Sequence, residues 1–508
     1  MLSIDFQSYP PRSWFFFILI SNLAFRFWLS YAMPITGDEA YFIQWGQHPD
    51  LGFYDHPPMI GWVLAVLLQV SQAAWWLRLP IIVLPAVVAI SIVLAFKQQF
   101  QEKAYWVAIL FLLAPVNLWG VFITTDTPLI YCTFFSALLF VAARSKQSLL
   151  LHIAAGIFLG LAILSKYFAM LVVLIYCIAF ALEKKPRQQI TGFILMLATT
   201  VPFIAVNVYW NLNHCWANIM FNVFNRHDSA GFSIRTPIIY VLMLVYLVGP
   251  PLLYYFYLHR AKWRDVITED RARLFFLLAT VPFLFFGAIS VVKLIGLHWV
   301  LSFYPFVFIT LLFLWDVDTI LKAARFMFWF GFLHIVAIVV TSVRPIEIWK
   351  ETRLYDGIVF TLKINKIIDE LQPYAAGYQF ATDGYSPSAI ISYYAKRHFI
   401  VFGEASSHAR QDDLVTDFSK LNGKNILILR KTKPTMDQYQ PYFKQVEFKE
   451  FTLLGVTFHI VLGSEFNYSV YRDRILRKVK EKYYNIPPYL PMKHCYFCDH
   501  YFPNEGCN

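Results

Sequence analysis

Acidic side chains gather in the first long polar loop of the chain, which reads ITGDEAYFIQWGQHPDLGFYDHPPMIGW. Asp38 and Glu39 stand side by side near its start, and Asp55 and His56 precede two rigid prolines. A carboxylate in such a loop can act as a general base that takes a proton from an incoming hydroxyl. The structural alternative is capping of a short helix that begins at Asp38, because carboxylates are favoured at the positive end of a helix.

A third carboxylate and several cations follow at the ends of apolar runs. The carboxylate is Asp126 in TTDTPL. The structural alternative for Asp126 is an N-cap, because Pro128 follows near the first turn of the next helix. The basic groups expected on the same side of the membrane are Lys166, Arg226, Lys293 and His298. Converging cations can hold a phosphate through charge-assisted hydrogen bonds, whereas the structural alternative for Lys166 is snorkelling of its ammonium group to the interface.

Helices within a lipid bilayer must position these groups. Of the 508 residues, 58% are hydrophobic and 19% are aromatic, and the mean hydropathy is +0.51. This composition excludes a disordered chain and a soluble enzyme of ordinary composition. Charged residues make up about 10% of the chain up to Val343 and about 24% from Arg344 onwards. We therefore predict a lipid-embedded part over 1–343, with a first outer loop over 34–78, and a water-facing part after it.

Eleven apolar segments are long enough, or nearly so, to cross a hydrocarbon core of about 30 Å, so we predict a mostly α, polytopic protein with about 11–13 transmembrane helices. The segments are Trp14–Met33, Leu79–Phe96, Ala104–Gly120, Pro128–Ala143, Leu149–Leu164, Phe168–Leu182, Ile190–Trp210, Pro237–Leu258, Leu274–Val291, Trp299–Leu314 and Phe326–Ser342. A further apolar segment, Pro57–Trp76, is interpreted as interfacial or re-entrant, because a crossing there would turn every later basic loop outward.

Basic residues in the short loops set the orientation. Fifteen of the 21 Lys and Arg residues up to Val343 fall on one side, which is therefore cytoplasmic. The charged C-terminal part then lies outside the cytoplasm. The net charge of +11 is explained by this bias, so we expect no nucleic-acid partner.

The C-terminal part is predicted to be an α/β domain over 344–470, followed by a basic tail over 471–508. Its predicted strands are Tyr378–Thr382, Asn425–Leu429 and Val456–Leu462. The tail contains Cys495, Cys498, His500 and Cys507, a density that suits either a zinc site or disulfides in an oxidising compartment. Cys132, Cys177 and Cys215 are expected to be small hydrophobic side chains.

Taken together, the motifs GDEAYFIQW, YDHPPMIGW, LRLP, TTDTPL, LSKY and WNLNHCWANIMFNVFNR resemble, in order, the polytopic glycosyltransferases of the GT-C fold. That family includes protein O-mannosyltransferases, lipid A aminoarabinose transferases and lipopolysaccharide galacturonosyltransferases. The resemblance covers roughly residues 14–343. It implies transfer of a sugar from a polyprenyl-phosphate donor to an acceptor at the periplasmic face of a bacterial inner membrane.

The resemblance also implies roles for single residues. Asp38 is expected to be the general base, with Glu39 beside it and Asp126 as a second acidic group. Lys166, Arg226, Lys293 and His298 are expected to bind the donor phosphate. Loop residues expected to meet the acceptor are Tyr41, Tyr54, Asp55 and His56.

Three questions stay open at the level of the sequence. Asp55 and His56 replace the Glu-Lys pair typical of aminoarabinose transferases, which argues against that sugar, and the two residues are a possible but poor metal chelate. The acceptor is lipid A or another lipopolysaccharide element, with a protein hydroxyl as the alternative. A transporter or flippase of lipid-linked sugar would also have many spans, although such proteins usually show internal repeats.

Overall fold

The computed structural model describes residues 6, 9–183, 186–225, 231–408 and 410–507. The chain divides into two compact units. The membrane unit comprises Met1–Met33, Ser71–Ala205 and Ala230–Val343, and the α/β unit comprises Pro34–Val70, Val206–Ser229 and Arg344–Asn508. Residues 34–70 of the predicted first outer loop are therefore grouped with the C-terminal region, although most of the chain separates the two in sequence, and residues 71–78 belong to the membrane unit.

The membrane unit is built from helices around a large apolar core. Its helices are Pro11–Ala32, Ala74–Leu77, Leu79–Phe100, Glu102–Leu112, Pro115–Trp119, Asp126–Lys146, Leu149–Ile163, Met170–Ala181, Ile190–Asn213 (which continues into the α/β unit), Arg235–Val248, Pro250–Leu258, Trp263–Thr268, Asp270–Ile289, Tyr304–Leu314 and Val317–Val343. Aromatic rings such as Phe134, Phe275 and Phe306 are fully buried in this core. Helices that are apolar on most faces are expected where lipid covers one side and protein the other.

Within the described residues, six helices are long and apolar enough to cross a bilayer, and a seventh crossing results if one bent pair counts as a single span. The bent pair joins Arg235–Val248 to Pro250–Leu258 at 94°. Gly249 has a φ of +93° at the bend, a conformation that suits glycine, and the following proline cannot continue the preceding helix. The polytopic membrane protein predicted from the sequence is confirmed, while the number of eleven to thirteen crossings stays a prediction.

Some of the predicted spans form helices that are interrupted or too short to count as crossings by length. The segment Ala104–Gly120 is broken into Glu102–Leu112 and Pro115–Trp119, and Leu149–Ile163 has 15 residues. The segment Pro57–Trp76 contains the helix Met59–Leu68 and the start of the four-residue helix Ala74–Leu77. The ten residues of Met59–Leu68 rise about 15 Å, which is too short to span the hydrocarbon core. This length agrees with an interfacial or re-entrant interpretation.

The α/β unit contains a mixed five-stranded sheet. Its strands are β1 (Gln379–Thr382), β2 (Ile400–Val401), β3 (Ile426–Arg430), β4 (Phe443–Leu453) and β5 (Val456–Phe466), in the spatial order β2-β1-β3-β5-β4. Strands β1, β2 and β3 run parallel, whereas β5 pairs antiparallel with β3 and β4. The predicted α/β region and its three predicted strands are thus present, and β2 and β4 are additional.

The α/β unit also contains short helices, two of which lie in the first loop. In chain order they are Gly37–Gln47, Met59–Leu68, Ala217–Ile219, Tyr355–Leu362, Ile364–Leu371, Tyr385–Ala395, Asp412–Val415, Tyr468–Tyr471, Arg477–Tyr483 and Tyr496–Tyr501. The helix Ile364–Leu371 buries Ile364, Ile367 and Leu371, which is the spacing of an amphipathic helix with one apolar stripe.

The C-terminal tail is tied to the segment around residue 215. Disulfides join Cys215 to Cys495 and Cys498 to Cys507. The tail also exchanges backbone hydrogen bonds with this segment, from Lys493 N to Leu212 O (2.9 Å) and from Cys215 N to His494 O (3.2 Å). The expectation that Cys215 is only a small hydrophobic side chain is therefore corrected, because its partner lies 280 residues away in sequence.

The disulfides also bear on the zinc alternative for the tail. His500 is engaged by Asp417, since its Nε2 lies 2.7 Å from Asp417 Oδ1. The sulfur atoms of Cys215, Cys495 and Cys507 do lie within 4.8 Å of one another. Zinc binds thiolates, so these sulfurs could hold a metal only after reduction of the disulfides.

We predict that Cys215→Ser lowers the free energy of unfolding by about 2–4 kcal/mol, because the disulfide restricts a very long loop in the unfolded chain. Denaturant unfolding of the detergent-solubilised chain measures this loss. The matched control is Cys177→Ser, which changes an exposed free cysteine and leaves both disulfides intact. Equal stability of the two variants would contradict the prediction.

Candidate functional site

The helix Gly37–Gln47 places the first pair of predicted acids, and a capping box defines its start. Thr36 is the N-cap residue, and its side chain accepts from the Glu39 backbone at 3.4 Å. The Glu39 carboxylate accepts in return from the Thr36 backbone N–H at 3.0 Å. Glu39 is fully buried. Its carboxylate is thus committed to the helix start. Asp38, for which capping was the structural alternative, is not the N-cap residue.

Asp38 is exposed, unlike its neighbour Glu39. Its Oδ1 accepts a hydrogen bond from the Tyr385 hydroxyl at 3.3 Å. It lies in the first turn of the helix, where the helix dipole favours a negative charge. Asp38 is therefore an accessible carboxylate at the start of a helix, and accessibility is one requirement for a general base.

Asp55 interacts with three tyrosine side chains, Tyr41, Tyr54 and Tyr385. Tyr41 and Tyr54 were predicted as site residues, whereas Tyr385 was not. Asp55 is buried, and so are Tyr41 and Tyr54. Burial raises the pKa of Tyr41 well above its ordinary value, and the neighbouring Asp55 carboxylate raises it further. Burial likewise raises the pKa of Tyr385, with additional contributions from Asp38 and Asp55. Asp38, Asp55 and Tyr385 thus form one cluster within the α/β unit. The hydroxyls of Tyr41 and Tyr385 stay protonated and can donate hydrogen bonds.

Asparagine side chains hold the turn that carries Asp55. Asn218 Nδ2 donates to Phe53 O and Asn222 Nδ2 donates to Asp55 O, each at 2.8 Å. Neither asparagine was among the site residues predicted from the sequence. Their spacing of four residues, which places them on one helix face, is the signal that identifies them.

A metal at Asp55 and His56 receives no support from the geometry. Across the described part of the chain, the one group of three or more potential ligands that could hold a metal ion is the cysteine cluster Cys215, Cys495 and Cys507. Two adjacent residues without a third ligand are a poor chelate. His56 instead lies beside the Trp45 ring, with ring centroids 6.3 Å apart.

In the membrane unit, the predicted Asp126 and Lys166 come together as a buried ion pair. Lys166 Nζ donates to both carboxylate oxygens of Asp126, at 2.9 and 3.0 Å. Asp126 is 2% exposed and Lys166 is 4% exposed. Asp126 occupies the first position of the helix Asp126–Lys146, whose N-cap is Thr125, so the N-cap alternative for Asp126 is corrected. Mutual neutralisation lets both charges lie inside the unit.

A cavity of about 230 Å³ in the membrane unit contains a second buried cation. Its polar lining includes Arg26, Asn117 and His298. The Arg26 guanidinium donates only to carbonyl oxygens within the described structure, among them Ile82 O (2.9 Å), Asn117 O (2.8 Å) and Gly120 O (2.7 Å). Carbonyl dipoles orient the guanidinium without cancelling its charge, so the cavity is suited to an anion.

The structure gives less support for phosphate binding by the two remaining predicted residues, Lys293 and Arg226. Lys293 is half-buried, and its ammonium lies 6.0 Å from the Trp299 ring centroid. Arg226 lies outside the described residues. Arg26 was not predicted to bind phosphate, although an arginine within the first span is itself a signal of a polar cavity at membrane depth.

Comparisons with known proteins agree with this architecture. Residues 55–210 match the family model described as dolichyl-phosphate-mannose-protein mannosyltransferase. The chain is 29% identical over 228 residues to the lipid A galacturonosyltransferase RgtD of Rhizobium johnstonii, a match that covers 41% of this chain and 48% of the relative. The chain thus spans about half the length of this curated relative.

Solved structures show the same fold over most of the chain. ArnT of Cupriavidus metallidurans bound to undecaprenyl phosphate superposes with a TM-score of 0.61 at 14% identity, covering 88% of this chain and 98% of that one. The apo form of the same protein gives a TM-score of 0.62 at 14% identity and covers 89% and 98%.

We predict that Lys166→Met alone destabilises the chain by about 3–5 kcal/mol, because it leaves the Asp126 carboxylate buried without its cation. The double variant Asp126→Leu with Lys166→Met should recover most of this loss, since both charges are then absent. Unfolding of the solubilised chain measures both variants. A double variant less stable than the single one would refute the ion pair as a stabilising unit.

Proposed function

We propose that this chain, which has the fold of ArnT and the resemblance to GT-C glycosyltransferases seen in its sequence, transfers a sugar from a polyprenyl-phosphate donor to lipid A or another lipopolysaccharide element. Asp50 of the first loop is partly exposed and accepts a hydrogen bond from the Trp210 indole at 2.9 Å. The observation that carries the proposal is that, of the other three acids in this loop, Asp38 is exposed whereas Glu39 and Asp55 are buried. Asp38 is the one of these three that an acceptor hydroxyl can reach.

In the proposed reaction, the acceptor oxygen attacks the anomeric carbon of the donor sugar. The bond between this carbon and the phosphate oxygen breaks, and polyprenyl phosphate leaves with the bonding electrons. Asp38 takes the proton of the acceptor hydroxyl. A positioned base of this kind contributes about 10²–10⁴-fold to the rate. Inversion at the anomeric carbon is the expected outcome of a single displacement from the opposite face.

The donor phosphate is assigned to the membrane unit. The Arg26 cavity offers an uncancelled positive charge together with His298, Asn117 and Thr124 in a mostly apolar lining. Such a lining suits a phosphate attached to an isoprenoid chain, because the chain needs apolar surface while the head group needs donors. Lys293 is proposed as a further donor. Lys166 acts indirectly in this proposal, because its charge is already offset by Asp126.

The α/β unit is proposed to lie in the periplasm. Two disulfides are formed within it, and disulfides persist in oxidising compartments. The basic loops of the membrane unit favour the same orientation, because they are retained on the cytoplasmic side.

The second candidate is a protein O-glycosyltransferase, which the family description of residues 55–210 favours. The name of the relative RgtD favours lipid A as acceptor and a hexuronic acid as sugar. Incubation of the purified chain with donor and either lipid A or an acceptor protein distinguishes the two, because mass spectrometry identifies both the labelled molecule and the sugar. A flippase would label neither.

We predict that Asp38→Asn lowers the turnover of the purified chain by at least about 100-fold, since the amide cannot take the proton. Binding of undecaprenyl phosphate, followed by native mass spectrometry, should be unchanged. The control is Asp383→Asn, which alters a carboxylate of the C-terminal domain paired with Arg430. Wild-type turnover in the Asp38 variant would show that Asp38 is not the base.

A further inference from the structure

Residues of the C-terminal region make several hydrogen bonds to the first loop inside the α/β unit. The Tyr385 hydroxyl donates to Asp38 Oδ1 at 3.3 Å, and the Tyr394 hydroxyl accepts from Ile35 N at 3.2 Å. Both tyrosines belong to the helix Tyr385–Ala395. One of these bonds ends on a carboxylate and the other on the backbone.

We propose that Tyr385 is a positioning residue for sugar transfer, which orients the Asp38 carboxylate through its hydroxyl. This inference rests on the proposed function of Asp38 as the base. Tyr385 engages Oδ1, and within the described structure no hydrogen bond is made to Oδ2. One carboxylate oxygen is therefore held by Tyr385, which leaves the other to take the acceptor proton in the proposed reaction.

Close backbone packing fixes the distance between the two elements. A Cβ added to Gly37 would lie 1.9 Å from Ser386 Oγ, 2.8 Å from Ser386 Cβ and 3.2 Å from Ser386 Cα. The start of the helix Gly37–Gln47 thus touches the start of the helix Tyr385–Ala395 at the residues next to Asp38 and Tyr385. Only glycine permits this approach, which makes the contact specific.

The chemistry of Tyr385 suits a permanent donor. Burial raises its pKa, and the charges of Asp38 and Asp55 raise it further, because a phenolate beside two carboxylates would be repelled. The hydroxyl therefore keeps its proton at neutral pH and remains a hydrogen-bond donor to the Asp38 carboxylate. A donor that never titrates holds the carboxylate without competing for the acceptor proton.

Gln411 makes two further hydrogen bonds to the first loop, at Tyr54 and Tyr41. Gln411 Oε1 accepts from Tyr54 N at 2.8 Å, and Gln411 N donates to the Tyr41 hydroxyl at 3.2 Å. The neighbouring Arg410 binds both oxygens of the buried Asp413, at 2.7 and 2.9 Å. Gln411 is thus fixed by a buried ion pair, so Tyr385 acts on a loop that is already held in place.

The test compares Tyr385→Phe with Tyr394→Phe in the full-length chain reconstituted in lipid vesicles. Each variant removes one hydroxyl from the same helix and one hydrogen bond to the first loop. We expect Tyr385→Phe to lower kcat about tenfold or more, with KM for the polyprenyl-phosphate donor unchanged. Tyr394→Phe should stay within about twofold of the wild type. Equal kcat values in the two variants would overturn the inference.

A double-mutant cycle separates positioning from general stability. If Tyr385 acts through Asp38, Tyr385→Phe should cause no further loss of kcat in the Asp38→Asn background. Additive losses would overturn the inference. Failure of the proposed function is recognised independently, because it would appear as wild-type turnover in Asp38→Asn alone.

Gly37 offers a second variant that leaves both functional side chains intact. We expect Gly37→Ala to lower kcat about as much as Tyr385→Phe does, because its methyl group forces the two helices apart. Adding Ser386→Gly removes the two closest atoms and should restore much of the activity. Wild-type kcat in Gly37→Ala, or no recovery in the double variant, would contradict the proposed contact.

Discussion

The acids of the first loop keep their positions only because chain segments far away in sequence supply hydrogen bonds to that loop. A loop rich in Gly, Pro and Asp has backbone groups that must be satisfied, and here side chains satisfy them: Asn218 and Asn222 bind the carbonyls of Phe53 and Asp55. These asparagines belong to a segment that the Cys215–Cys495 disulfide ties to the C-terminal tail. The order of the candidate site thus depends on the last residues of the chain.

Buried charged side chains have different partners in the two units. In the membrane unit, Asp126 and Lys166 neutralise each other, whereas Arg26 is surrounded by carbonyl oxygens and keeps its charge. In the α/β unit, Arg410 and Asp413 form a buried pair to which Tyr484 also donates. Burial raises the pKa of Asp413, although the Arg410 guanidinium opposes this effect. Neutralised pairs support the structure, and an uncancelled charge marks a place for a ligand.

Much of the architecture could be predicted from the sequence, because hydropathy and charge report directly on lipid and water. The membrane part, three strands of the C-terminal sheet and the capping of the helix that carries Asp38 follow from local pattern. The Cys215–Cys495 disulfide could not be predicted, since its partners are 280 residues apart and no local pattern links them. The hydrogen bond from Tyr385 to Asp38 could not be predicted for the same reason. Arg26 was visible as a charge within a span, but its role depends on the cavity that distant helices form around it.

Mass spectrometry of lipid A tests the central claim most directly. Lipid A is extracted from cells that lack this chain and from the same cells supplied with the wild-type chain or with Asp38→Asn. The account predicts one additional sugar on lipid A in cells with the wild-type chain and none with the variant. Identical lipid A in all three would contradict the assignment of lipid A as acceptor, and equal glycosylation by wild type and variant would contradict the role of Asp38.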